Sequence, residues 1–147
     1  KRLATGQIID AGTLAGHSSA DLTSDAFFAE GGIAQVPKTG TLETVAQLTG
    51  LPAGSYVIIA KTFMTYLGGD GQGPTTCELV AETDVDLLRA TVDNLHHLPA
   101  TLTVVHTFAA DNGTVELKCA HTGGGDETVN ETKITAISVD SLTTSSS

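Results

Sequence analysis

The sequence has no tryptophan, and its only aromatic residues are two tyrosines and four phenylalanines among 147 residues. Charged residues make up 16% of the chain, well below the usual quarter. A hydrophobic core must therefore be built from Val, Ile, Leu and Ala, while Thr, Ser and Gly cover the surface. This composition is typical of strands and turns and argues against helices with charged surfaces. The length suits one domain that buries roughly two-thirds of its unfolded surface.

Basic residues are scarce as well, with 7 against 17 acids and a net charge of −10. Nucleic-acid binding needs a basic face that releases phosphate counterions, and because no basic cluster exists we expect no nucleic-acid partner. Anionic membrane surfaces are disfavoured for the same reason. No apolar run reaches the roughly 18 residues of a membrane span, so no membrane insertion is expected. The chain opens at Lys1-Arg2 without a signal peptide, which indicates a mature or trimmed product.

The sequence has only two cysteines, Cys77 and Cys119. Each shares strand parity with apolar neighbours, so both thiols should face the interior. Two interpretations are open: buried free thiols that act as small hydrophobes, or one disulfide. We expect the disulfide, which would close a loop of about 43 residues, stabilise the fold by roughly 4 kcal/mol and indicate an oxidising compartment. Neither cysteine has a CxxC partner or a histidine at ligand spacing, so no metal and no cofactor is predicted.

Signatures of catalysis are missing too. There is no GxSxG nucleophile elbow, and the Gly-rich segment 68–73 lacks the Lys-Ser/Thr ending of a phosphate loop. His96 and His97 are the only adjacent histidines, which is a weak metal signal. The acidic segment 82–86 leaves calcium binding and acid–base hydrolysis open beside a solvated loop rim, which we favour. We expect no enzymatic activity and no catalytic residue.

From Thr41 onward, alternating segments are separated by turn signals every eight to twelve residues or so. The strongest strand is 55–64 (SYVIIAKTFM), which is apolar on both faces near Ile58 and Ile59. Asn112-Gly113 is a strong hairpin-turn signal. Seven or eight short strands without a long helix predict an all-β fold, an antiparallel β-sandwich of the jelly-roll type.

Residues 1–40 lack a sustained period and predict an extended, stalk-like lead-in. A short helical turn is expected within 18–30, capped by Ser24 or Asp25. The jelly-roll head would then cover 41–142, and 143–147 would form a polar tail.

Loop tips on a rigid sandwich are where binding specificity usually lies. We therefore take the residues of three loops as candidates for binding: Asp70, Gln72, Asn94, His96, His97 and Asp126. Asn112 and Asn130 begin Asn-X-Thr sequons, which matter only in a glycosylating host.

One resemblance covers roughly residues 41–142. The order LPAGSYVIIAKTF, a Cys-bearing strand, TLTVVHTF, GTVELKC and KITAISV resembles the tumour-necrosis-factor-like jelly rolls, including complement-type heads and C-terminal domains of bacterial collagen-like surface proteins. It is more closely similar to exported or phage-associated actinobacterial proteins with the same layout. This resemblance implies a compact homotrimer, although such heads usually carry more aromatics.

A second resemblance covers residues 10–28, DAGTLAGHSSADLTSDAFF. Its TL.G..S.AD pattern is similar to an element found before trimeric domains of phage tail fibres, with Leu22 in place of the usual Phe. The resemblance implies that Leu14 and Leu22 contact the trimer axis; an ordinary Gly/Ser linker is the alternative. His106 shares parity with Leu102 and Val104, which indicates a buried or interface histidine, and at a threefold axis it would make assembly pH-sensitive.

The sequence thus favours a structural or adhesive module: an extracellular trimeric fibre or spike head on a virion or bacterial surface. Its partners would be further copies of itself, with a virion component, a cell-surface receptor or a glycan as external partners. The alternative is a secreted, monomeric β-sandwich domain that binds a ligand or glycan. Few aromatics argue against sugar stacking in that alternative.

Overall fold

The computed structural model describes residues 24–68, 73–92 and 97–143, together with the backbone of two short segments in the lead-in. The strands, numbered along the chain, are β1 (Thr13–Leu14), β2 (His17–Ser18), β3 (Ala26–Glu30), β4 (Ala34–Gln35), β5 (Glu43–Leu51), β6 (Gly54–Gly68), β7 (Pro74–Ala81), β8 (Asp84–Thr91), β9 (His97–Phe108), β10 (Gly113–His121) and β11 (Asp126–Val139). The described residues hold no helix long and apolar enough to cross a membrane.

Two antiparallel sheets face each other. The four-stranded sheet has the order β5-β10-β7-β8, and the five-stranded sheet has the order β3-β11-β6-β9 with β4 also pairing with β11. If β3 and β5 to β11 are ranked one to eight along the chain, the two orders become 2-7-4-5 and 1-8-3-6. This alternation of strands between two sheets is the jelly roll, and the predicted all-β fold is confirmed.

Turn chemistry shapes the connections between strands. The hairpin predicted at Asn112-Gly113 is wrong, because β9 pairs with β6 whereas β10 pairs with β5 and β7 in the other sheet. Asn112 does adopt φ 70° just before β10, but the turn carries the chain from one sheet to the other. β7 and β8 are joined by two residues, and the first of them, Glu82, has φ 51°. A glutamate in this conformation is uncommon.

The core lies between the sheets and follows the period of two that strands impose. Its largest fully buried side chains include Phe108, Leu51, Ile58, Met64, Leu79, Leu102, Leu117 and Ile134. The Tyr56 ring contacts Phe27 and Phe108 edge-on, with centroids 6.0 and 5.9 Å apart. The core is thus aliphatic with one small aromatic cluster, as the composition indicates.

Cys77 and Cys119 form a disulfide between β7 and β10. The two residues are direct partners in the ladder, with Cα atoms 4.1 Å apart. The bridge therefore joins neighbouring strands of one sheet, inside the sandwich.

The beginning of the sandwich corrects the predicted lead-in. Ala26–Glu30 is a strand and not part of a helical turn, and it pairs with β11 from Ile137 to Lys133. The first strand of the jelly roll therefore lies before residue 41. Its five residues are too few for the period to stand out in the sequence, and β11 supplies the pairing partner from the far end of the chain. Residues 1–12, 15–16, 19–23 and 144–147 lie outside the described part of the chain.

Candidate functional site

The outer face of the five-stranded sheet is unusually apolar for an exposed sheet face. Inner positions of β6 are buried, so its odd-numbered residues from Ser55 to Leu67 point outward. Antiparallel sheets with one solvated face normally alternate apolar and polar residues. Here the outward residues of β6 include Val57, Ile59, Phe63 and Leu67.

Two neighbouring rows on this face form what we call the apolar patch, defined by Phe28, Val57, Ile59, Val105 and Ile137. Ile137, Val57 and Val105 are direct partners across β11, β6 and β9. The next row places Phe28 beside Thr135, Ile59 and Thr103. Phe28 is 62% exposed and Val105 47%. None of these seven outward side chains is charged, although the chain carries 17 acids.

A second exposed apolar pair lies on the other sheet. Val85 and Leu87 point outward from β8, the edge strand of the four-stranded sheet, and are 52% and 56% exposed. We call this pair the β8 patch. It and the apolar patch lie on different sheets but border each other at the edges of β8 and β9, where Val85 and Val105 line one cleft.

Beyond the apolar patch, β11 contains a β-bulge. The pairing with β6 shifts register between Asn130 and Lys133, and Glu131 within the bulge has φ 51°. Asn130 and Glu131 are both accessible while Thr132 is buried, so two successive side chains reach the outer face. Bulges commonly re-aim side chains in this way beside binding sites.

The bulge forms one wall of a cleft of about 310 Å³ lined by Phe63, Thr65, His97, Asn130 and Glu131, which we call the bulge cleft. Asn130 Nδ2 donates to Thr65 Oγ1 at 3.1 Å, and Thr65 Oγ1 lies 2.9 Å from His97 Nδ1. Three polar side chains are thereby linked in a row across β11, β6 and β9. Phe63, 37% exposed, lies on β6 opposite Asn130.

A second cleft of about 290 Å³ shares Glu131 with the bulge cleft and is also lined by Lys61 and Lys133. Lys133 Nζ is 3.3 Å from Glu30 Oε1 and lies 4.5 Å from the centroid of the Phe28 ring. The cation–π contact is worth roughly 0.5–1 kcal/mol at an exposed site. Lys133, with its partner Lys61 on β6, lies between the bulge cleft and the apolar patch.

The acidic segment before and within β8 meets His106, in an arrangement we call the His106 clamp. His106 Nδ1 is 2.8 Å from Asp84 Oδ2, and Nε2 is 3.2 Å from Glu82 Oε2. Both nitrogens can donate only when the ring is an imidazolium. The ring also packs edge-on against Phe108, with centroids 4.5 Å apart. The clamp thus links the edges of the two sheets.

The other β8 carboxylate also holds β9. The backbone N–H of Thr103 donates to Asp86 Oδ2 at 2.7 Å, which satisfies a donor on the edge of the five-stranded sheet. The Glu82 and Asp84 side chains remain 59% and 52% exposed, as a solvated rim requires, and these acids also make contacts between strands. Among the described residues, no group of three His, Cys, Asp or Glu side chains is arranged to hold a metal ion.

A third polar group lies inside the opposite end of the sandwich. Thr75 Oγ1 donates to Glu127 Oε2 at 2.6 Å, and His121 Nδ1 is 3.3 Å from the same oxygen. His121 and Glu127 side chains are fully buried. Burial raises the pKa of the Glu127 carboxyl above its ordinary value, although the Thr75 hydrogen bond and His121 oppose the shift. None of these three side chains lines the clefts described above.

The predicted binding residues are distributed as follows. His97 lies in the bulge cleft, and Asp126 forms an ion pair with Lys38 at 2.6 Å. The two flank the same end of β6, opposite Thr65 and Gly68. The four other predicted loop residues lie outside the described part of the chain: Asp70, Gln72, Asn94 and His96.

The predicted trimer contacts have a different outcome. Leu22 and the side chain of Leu14 lie outside the described residues. His106 is 6% exposed and faces the interior, because even-numbered residues of β9 point inward. Its ring contacts carboxylates of its own chain, so the buried interpretation holds and we assign it no contact with another copy.

The two sequons also differ in their surroundings. Asn112 is exposed in a turn, whereas the Asn130 amide already forms a hydrogen bond with Thr65.

The residues that sequence reasoning missed are Phe63, Glu131 and Glu82. An apolar run on both faces of β6 was visible and pointed to Phe63. Glu82 was visible as part of the acidic segment 82–86, but its contact with His106 was not, and Glu131 gave no signal, because a left-handed glutamate cannot be recognised from neighbouring residue types.

Comparisons with known proteins place this fold among jelly rolls. The structure is similar to that of infectious bursal disease virus Gt strain, with a TM-score of 0.52, 8% identity and coverage of 82% of this chain and 34% of that chain. For the VP2 subviral particle of infectious bursal disease virus the values are 0.50, 10%, 84% and 34%. For Eiger TNF from S. frugiperda they are 0.43, 10%, 84% and 98%.

The chain therefore spans about one third of the length of these viral proteins. No protein-family model and no curated protein matches the sequence. At these identities the likeness establishes the jelly-roll fold.

Proposed function

We propose that this chain is a structural or adhesive module, a jelly-roll head that assembles as a homotrimer on a virion or a bacterial surface and has no enzymatic activity. The observation that carries this proposal is the apolar patch. The inner face of the same sheet is already occupied by the four-stranded sheet, and the described residues leave the patch on the outer face exposed, where another protein surface could cover it. Exposed patches of this kind mark interaction sites.

A second copy of the chain suits the patch because of charge. Each chain has a net charge of −10, so two copies repel unless they meet where carboxylates are absent. The seven outward side chains of the patch rows satisfy this condition.

The β8 patch supports a ring rather than a twofold dimer. A head-to-tail contact joins two different surfaces, and it closes into a ring when the rotation per copy allows it. The apolar patch of one copy would pack against Val85 and Leu87 of the next. Three such contacts would cover each apolar patch with a β8 patch.

The setting outside the cell rests on two observations. The Cys77–Cys119 bridge requires an oxidising compartment or late oxidation of a released particle. The infectious bursal disease virus proteins of similar fold come from viral and subviral particles, which favours the virion. The carboxylates of the His106 clamp and Asp86 are engaged in contacts between strands, which supports a role without catalysis.

Light scattering at micromolar concentration tests the assembly. The whole chain should have a mass three times its 15.0 kDa. Ile59→Asp in the apolar patch and Leu87→Asp in the β8 patch should each yield monomers. Thr101→Asp, exposed on the same face as the apolar patch but outside it, is the matched control and should remain trimeric.

Mixing the two monomeric variants identifies the type of interface. A head-to-tail contact leaves one intact surface on each variant, so the mixture should form a heterodimer. A twofold contact through the apolar patch alone would leave Leu87→Asp dimeric and would give no complex between the two variants. A monomeric mass for the unmodified chain would refute the trimer.

A second candidate function, a secreted monomeric glycan-binding domain, is favoured by the exposed Phe63 among polar side chains in the bulge cleft. The same mass measurement separates it from the trimeric head.

A further inference from the structure

Glu131 combines an uncommon backbone conformation with an exposed position. Its φ of 51° lies in the left-handed region, where a residue other than Gly costs roughly 1–2 kcal/mol. Glycine would relieve this cost at once. Strain of this kind persists where the side chain has a use, and it concentrates at ligand sites. The Glu131 side chain is exposed and lines both clefts.

The bulge cleft already orders its polar side chains. Asn130, Thr65 and His97 are linked by hydrogen bonds across three neighbouring strands. With strands about 4.8 Å apart, this row is about 10 Å long. Such a row matches a ligand that carries several hydroxyl groups in succession, and it is too long for one compact charged group.

Phe63 provides the apolar surface next to this row, and its register opposite Asn130 and Pro99 places it centrally. An aromatic ring beside a line of amide, hydroxyl, imidazole and carboxylate groups suits a sugar ring, which has an apolar C–H face and a polar rim. The Glu131 carboxylate disfavours anionic ligands.

We propose that the bulge cleft is a binding site for one or two units of a neutral glycan, which stack on Phe63 and hydrogen bond to Asn130, Glu131 and His97. This site rests on the second candidate function, glycan binding at the bulge cleft, which it makes specific, and it does not depend on the trimer. Phe63 lies four residues after Ile59, roughly 13 Å along β6, so the cleft stays accessible when the apolar patch is covered.

Titration of the ¹⁵N-labelled whole chain with neutral hexasaccharides of glucose, xylose and galactose tests the site. At least one should shift the amide resonances of Phe63 and Asn130 with a dissociation constant below about 1 mM. Phe63→Ala should weaken binding at least tenfold. Ile33→Ala, at an exposed apolar residue outside both the cleft and the apolar patch, is the control and should not change affinity.

Glu131→Gly separates binding from folding. Because glycine accepts φ 51°, the variant should melt at the same or a higher temperature than the unmodified protein, yet bind the hexasaccharide at least tenfold more weakly. Unchanged affinity in this variant would overturn the role of Glu131 and with it the proposed site. The absence of binding for all three sugars at about 5 mM would also overturn the proposed site. So would amide shifts that tetramethylammonium chloride produces and none of the sugars produces.

Discussion

Replacing Glu127 by glutamine should stabilise this protein at pH 8. The Glu127 side chain is fully buried, and its only hydrogen bond among the described residues is the 2.6 Å bond donated by Thr75. Among the described residues, Glu127 Oε1 has no hydrogen-bond partner. Neither ring nitrogen of His121 has a partner within hydrogen-bond geometry. The ionised carboxylate is therefore poorly compensated, since burying an ion costs several kcal/mol unless its lone pairs are satisfied.

The sign follows from the raised pKa of Glu127. The folded protein binds this proton more tightly than the unfolded chain, so the contribution of Glu127 to stability is fully present below its ordinary pKa of 4.5 and is lost as pH rises through the folded pKa. Glutamine keeps the shape, accepts the Thr75 hydrogen bond and carries no charge. Burying the ionised carboxylate costs several kcal/mol, and the charge-assisted hydrogen bond that the variant loses is worth about 1.5–3 kcal/mol. The free energy of unfolding should therefore rise by about 1–3 kcal/mol at pH 8.

Urea unfolding of the unmodified protein and the Glu127→Gln variant at pH 8, 6 and 5 measures this effect. The free energy of unfolding should be higher for the variant at pH 8, and the difference should shrink as pH falls toward 4.5. His121 and Thr75 are the polar groups that face Glu127 and are the same in both proteins.

Glu116→Gln is a control of opposite sign. Hydrogen bonds from Lys118 and Thr44 lower the pKa of Glu116, so its contribution is present above its ordinary pKa and lost as pH falls through the lower folded value. This variant should be less stable at pH 8 by about 0.2–1 kcal/mol, as for surface ion pairs. A Glu127→Gln variant that is less stable than the unmodified protein at pH 8, or whose difference does not change with pH, would refute the reasoning.

The double substitution Cys77→Ala/Cys119→Ala should lower the free energy of unfolding by up to about 4 kcal/mol, because it releases a loop of 42 residues in the unfolded chain; an unchanged urea midpoint under non-reducing conditions would contradict this. His106→Ala should cost about 2–4 kcal/mol in the same assay, mainly through the cavity left beside Phe108. Asp84→Asn keeps the shape but removes one half-exposed carboxylate, so it should lower the free energy of unfolding by under about 1 kcal/mol. If His106→Ala and Asp84→Asn lowered the free energy of unfolding equally, charge rather than packing would dominate the clamp.

Much of the fold could be predicted because it is encoded locally. The alternation in 101–108 and 114–121 predicts two strands on either side of Asn112-Gly113, and the structure has β9 and β10 there. The expected hairpin between them is wrong, because the two strands belong to different sheets. Cys77 and Cys119 share inward parity with their neighbours, and this alone indicated that the thiols could meet inside. The excess of acids and the absence of a basic cluster likewise depend only on the residues present.

Pairing between distant segments was decided by the tertiary structure. β3 becomes a strand because β11, more than a hundred residues later, supplies its hydrogen-bond partners. His106 meets Glu82 and Asp84 only because the jelly roll brings the edge of one sheet beside the edge of the other. Strand parity showed that His106 faces inward, but parity carries no information on which side chains His106 contacts there.

The candidate site depends both on local sequence pattern and on the pairing of distant strands. The sequence alone determined that β6 is apolar on both faces, because side-chain period is a local property. The register among three strands decided that the bulge turns Asn130 and Glu131 to the same side, and that Thr65 and His97 complete the row. The tertiary structure also decided that no described residue covers the outer face at the apolar patch. Register depends on the free energy of the whole sheet, so no segment of the sequence specifies it by itself.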